Sequence, residues 1–186
     1  MSPIRYMHVV LTSMSLSCFS SLSESNITVL LSSNSSEVLE GNVMQLSCSV
    51  HSTTGPLSVV WQWMDKQATG PAQEVASVDR DGTVWHSPAY RERSSYGEIR
   101  VEKVRADAFS LSLYNALPGD EGQYRCTVTE WFQTVTETGL NWDQIGEKSA
   151  TKTITVKTVG ELLQHDLTPI YCMVSYLQVS KACKLL

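Results

Sequence analysis

Cys48 and Cys126 lie 78 positions apart, and a fixed order of residues accompanies them. Tryptophans stand 13 and 15 positions after Cys48, at Trp61 and Trp63. Asp120, Gly122 and Tyr124 precede Cys126 at alternate positions, inside the stretch "GDEGQYRCTVTEW". A cysteine interval this wide looks like a disulfide across a domain, which requires an oxidising compartment. Cys18, Cys172 and Cys183 complete the set, and no two cysteines have the Cys-x-x-Cys spacing of a zinc knuckle or redox site.

The chain around these residues alternates with period two. In "VMQLSCSV" (43–50), Leu46, Cys48 and Val50 share one face. In "VVWQWMD" (59–65), Val59, Trp61 and Trp63 do the same. Further strands are expected at 27–31, 98–104, 108–114, 123–130 and 150–157. "TTGPL", "DRDG" and "LPGDEG" are the turns between them. No segment of this region has a helical period of useful length. Many short, half-apolar strands point to an all-β sandwich of two antiparallel sheets, each with one buried face.

The ordered set Cys48, Trp61 or Trp63, Asp120, Gly122, Tyr124 and Cys126 resembles the signature of the immunoglobulin superfamily. The long interval from Trp63 to Asp120 leaves room for two extra strands, so the resemblance is to the variable-type (V-set) sandwich over about residues 24 to 158. It implies that Cys48 and Cys126 join the two sheets through the core, with an indole packed against the sulfurs. Trp61 is favoured for that place over Trp63. It also implies that the Tyr124 hydroxyl ties the corner backbone and that Asp120 pairs with an arginine, either Arg93 or Arg100.

Glu130 and Trp131 come straight after the expected strand of the second cysteine. Together with "RDGTVWHSPAYRERSSYGEIRVEKV" upstream, they make the chain similar to the Glu-Trp-Ile (EWI) subgroup, cell-surface glycoproteins of serial V-type domains that associate with tetraspanins. Phe132 stands where that subgroup has isoleucine. Alternation sends Val128 and Glu130 to the core side, with Glu130 escaping to the rim at the strand end. Trp131 then stands on the outer face or at the base of a long loop, "FQTVTETGLNWDQIGEK", unless that loop folds back and covers it. The expected contact surface is the outer face of this sheet with Val60, Gln62, Thr127 and Thr129. Met64, Trp131 and Phe132 are its partner-binding candidates.

The remaining sequence sets the context. Residues 1–23 read as a signal peptide with Arg5 ahead of a mildly apolar run. Sequons follow at Asn26 and Asn34. Residues 159–186 read as a linker followed by a tail or by a truncated beginning of something else. Their apolar run is too short for a bilayer span. A net charge of −5 without basic clusters excludes nucleic acid as a partner. His8, His51, His86 and His165 have no nucleophile or metal context around them, so no catalysis, metal, cofactor or small-molecule substrate is expected. The expected function is an extracellular or cell-surface recognition or adhesion module that binds proteins or a second copy of itself. Tetraspanins enter only through the resemblance. The alternative is an antigen-receptor-like variable domain that pairs with a second chain, against which the closing strand carries a single glycine, Gly146.

Overall fold

The computed structural model describes residues 26–67, 69–137, 139–158 and 160. The expected signal peptide, Cys18, Cys172, Cys183 and almost all of the expected tail lie outside the described residues.

Among the described residues, ten strands form two sheets. One has four strands in the order β1 (Thr28–Ser33), β3 (Met44–His51), β8 (Ala108–Leu113), β7 (Ile99–Arg105). The other has six, in the order β2 (Glu37–Leu39), β10 (Gly139–Lys157), β9 (Gly122–Thr136), β4 (Leu57–Met64), β5 (Gln73–Val78), β6 (Val84–His86). Strands β5 and β6 occupy the interval that the sequence left open for two more strands. This is the variable-type arrangement.

Pairing is antiparallel throughout the larger sheet except between β2 and β10, which run parallel. The exception arises because the first strand changes sheets. Strand β1 pairs with β3, and the chain then crosses over to β10. Asn34 ends the first pairing. Its side-chain oxygen accepts from Gln45 N–H at 3.0 Å and its amide donates to the Val43 carbonyl at 3.2 Å.

Alternation governs what is buried. Strand β3 buries Met44, Leu46, Cys48 and Val50 and turns Gln45, Ser47 and His51 outward. From the facing sheet come Leu57, Val59, Trp61, Tyr124, Cys126 and Val128. The Cys48–Cys126 disulfide joins β3 to β9, and thus sheet to sheet, across 6.4 Å between Cα atoms. Closing a chain interval this long contributes roughly 4 to 5 kcal/mol in the chain-entropy model. Trp61 is fully buried and pairs directly opposite Cys126, which settles the choice between the two tryptophans. Trp63 is half-buried against the edge of the core and donates Nε1–H to the Glu121 carbonyl at 3.3 Å. Gly122 must be glycine, because a Cβ there would collide with the Met64 carbonyl oxygen and the Trp63 indole nitrogen.

Below β9 the base of the sandwich is tied by polar contacts. The Tyr124 hydroxyl donates to the Asp120 carbonyl at 2.8 Å. The Asp120 carboxylate takes Arg93 Nη1–H at 2.6 Å and Leu117 N–H at 2.8 Å. Arg93 stands on a short helix, α1 (Arg91–Ser95), and also holds Glu98 at 2.9 Å. Arg100 lies elsewhere, 60% exposed and 3.9 Å from Glu102. Arg93→Ala is therefore expected to lower unfolding free energy by about 2 kcal/mol or more, because it leaves the buried Asp120 without its cation. Arg100→Ala should stay within about 0.5 kcal/mol. Urea titration of the two variants checks the contrast.

Candidate interaction surface

The outer face of the six-stranded sheet is laid out by register. Trp85 of β6, Ser77 of β5, Val60 of β4 and Thr127 of β9 lie side by side across four strands. Ser58 and Thr129 form the next row. Ser58, Val60, Ser77, Asp79 and Trp85 line a shallow groove of about 220 Å³, with the Trp85 indole 63% exposed. Met64 is covered rather than open on this face. It is only 6% exposed, and its sulfur lies 3.8 Å from Arg125 Nη2. The β4–β9 register runs without a break from Leu57 to Met64, so Met64 keeps the outward side of its strand and is covered there beside Arg125.

The expected long loop after Trp131 is a β-hairpin. Strand β4 ends its pairing at Leu57 opposite Glu130, but β9 and β10 continue together to Thr136 opposite Gly139. Trp131, Gln133 and Val135 occupy one side of this arm, opposite Gln144, Trp142 and Leu140. At its end Val135 and Leu140 form a cross-strand pair, 83% and 67% exposed. Phe132 lies on the other side, opposite Asp143, and is 39% exposed. The sequence concealed the arm because its residues are polar and β-branched, without an apolar period.

Trp131 is half-buried rather than open. Its Nε1–H donates to Ser58 Oγ at 2.8 Å. Arg80, from the turn between β5 and β6, lies over its ring at 5.5 Å and over the Trp142 ring at 5.0 Å. Stacking of this kind contributes about 0.5 to 2 kcal/mol per contact. Neither Arg80 nor Trp142 stands out in the sequence, because only tertiary folding brings them to Trp131.

Glu130 departs most from expectation. The strand does not end there, so no rim is available, and the carboxylate is 2% exposed beneath the 52–56 loop. Thr53, Thr54 and Gly55 supply its hydrogen-bond donors. A Thr-Thr-Gly turn rich in donors was the available signal, but nothing local tied it to residue 130.

A family model described as an IgSF3-like, immunoglobulin-like domain matches residues 23–182. The chain belongs to that family of the immunoglobulin superfamily. It is 43% identical over 128 residues to immunoglobulin superfamily member 3 of Xenopus laevis, covering 67% of this chain and 11% of that protein. It is 35% identical over 111 residues to the prostaglandin F2 receptor negative regulator of Rattus norvegicus, covering 59% of this chain and 12% of that protein. Immunoglobulin superfamily member 2 of Mus musculus is 32% identical over 117 residues, with 61% and 11% covered. The chain thus spans about one ninth of the length of these relatives, which are cell-surface proteins of the EWI subgroup. Like them, this immunoglobulin domain is not an enzyme. Among the described residues no group of side chains is arranged to hold a metal ion, and no helix is long and apolar enough to cross a membrane.

His86 follows Trp85 on β6 and pairs opposite the buried Ala76, away from the groove. Burial lowers the pKa of His86 from its ordinary 6.5, because Nε2 is enclosed without a hydrogen-bond partner among the described residues. The unfolded chain then binds the proton more readily than the folded one. His86 therefore contributes stability that is present above pH 6.5 and lost as pH falls through the lower folded value. The drop in Tm between pH 7.5 and pH 5.5 should shrink in His86→Gln, as read by thermal melts of both proteins.

Proposed function

We propose that this chain is the recognition module of an extracellular or cell-surface protein and binds a protein partner through the outer face of its six-stranded sheet and the hairpin arm. The observation that carries the reading is the placement of exposed apolar side chains there. Trp85 borders a groove, and Val135 and Leu140 form an exposed pair on the arm's Trp131 side. Other exposed apolar residues, such as Leu30 and Val104, occur singly on other strands. An exposed indole at a groove within a polar surround is the composition of an interface centre.

The wider context supports the same reading. The relatives are surface proteins, and one is named as a negative regulator of a receptor. Residues 1–23 act as a signal peptide in this proposal, and Asn26 and Asn34, both exposed, carry glycans. Self-association and tetraspanin binding are two forms that the partner can take. Pairing with a second variable domain uses the same sheet face, and a stable dimer on size-exclusion chromatography would favour it.

The test is a binding array of cell-surface ectodomains probed with the intact chain. Trp85→Arg and Val135→Asp/Leu140→Asp are expected to lose at least about tenfold in affinity for any captured partner, as for interface anchors. Leu30→Asp, on the other sheet, should bind as the parent does. Equal binding by all of these variants would reject this surface.

A further inference from the structure

We propose that Glu130 and Trp131 form a clasp that couples the 52–56 loop, the β5–β6 turn and the hairpin arm into one rigid unit. Neighbouring residues on a strand point to opposite faces, so this pair reaches both sides of β9.

On the inner side, a single carboxylate oxygen of Glu130 collects the loop. It accepts from the Thr53 hydroxyl at 3.1 Å, the Thr54 hydroxyl at 3.1 Å, and the backbone N–H groups of Thr54 at 2.5 Å and Gly55 at 3.0 Å. A buried carboxylate is tolerated when donors satisfy it in this way, and charge-assisted bonds are the strong ones. The Trp131 backbone N–H adds a bond to the Pro56 carbonyl at 3.0 Å. The fit admits only glycine at position 55, where a Cβ would collide with the Trp131 carbonyl oxygen.

On the outer side, the Trp131 indole is fixed by Ser58 and forms one wall of a slot for Arg80. The other wall is Trp142 of the returning strand. Arg80 is held at the turn by Asp79 at 3.4 Å, and its carbonyl accepts from Lys103 Nζ at 3.3 Å. Three chain segments distant in sequence therefore meet at two consecutive residues of one strand. Movement of any one of them must shift β9 at that point and disturb the other two. In this role Glu130 is a positioning residue. Its carboxylate orders the loop, and Trp131 carries that order to the outer face.

The test is residue-resolved amide exchange by NMR on the disulfide-bonded chain. In Glu130→Ala, Thr54 and Gly55 amides should exchange at least roughly tenfold faster. The Trp131 indole N–H should also exchange faster, while the Val128 amide and the Trp61 indole stay as in the parent. Arg80→Ala, a surface change, supplies the reciprocal arm and should also speed exchange at Thr54 and Gly55. Glu130→Gln keeps an acceptor oxygen and should fall between parent and Glu130→Ala. Thr54 and Gly55 rates within about twofold of the parent in Glu130→Ala overturn the proposal. So does an Arg80→Ala variant whose 52–56 loop is unaffected, since that reduces the pair to two independent contacts. If Glu130→Ala does not fold, Arg80→Ala and Glu130→Gln decide the matter.

Discussion

The Cys48–Cys126 bond, with Trp61 paired opposite Cys126, is the constraint on which the rest depends. It anchors β9 to the facing sheet within the first half of the strand. Once that point is held, alternation decides the direction of every side chain along β9. Two residues before the anchor, Tyr124 turns inward and reaches the Asp120 corner. Four residues after it, Glu130 turns inward and reaches the 52–56 loop. The two ends of the sandwich are thus organised from one strand, one by a tyrosine hydroxyl and an Arg93–Asp120 ion pair, the other by a carboxylate.

The two ends use different chemistry for a physical reason. At the base, the backbone turns immediately before β9, and its carbonyls need donors. The Tyr124 hydroxyl and the Arg93 guanidinium supply them. At the far end the 52–56 loop presents N–H and hydroxyl donors toward the core, and an acceptor-only group satisfies several at once. Aspartate in place of Glu130 would fall one methylene short of the loop. The Glu-Trp pair is thus, first of all, a structural device. Any part it has in the proposed recognition follows from what it positions.

What it positions is the hairpin arm and the groove beside Trp85. The arm carries β9 and β10 beyond Leu57, the first residue of β4, so its outer pair, Val135 and Leu140, stands clear of the sandwich body. Arg80 between two indoles keeps the near part of the arm against the sheet. The IgSF3-like family to which the domain belongs includes surface proteins many times its length.

The sequence by itself determined the sandwich through period two, a local property, and its variable-type form through the resemblance carried by Cys48, Trp61, Asp120, Gly122, Tyr124 and Cys126. The split of the first strand into β1 and β2, which makes ten strands among the described residues where nine were expected, came only with the structure. The sequence also nominated Glu130 and Trp131 by position. Only the tertiary structure decided that Arg93 rather than Arg100 meets Asp120, that Met64 is covered, and that the expected loop is an arm. It also decided that Glu130 is buried and Trp131 covered. Each of these turns on a partner far along the chain: Thr54 for Glu130, Arg80 and Trp142 for Trp131, and Arg125 for Met64. Alternation tells a residue which way to face. What it meets there depends on the path of other segments, and no local pattern encodes that path.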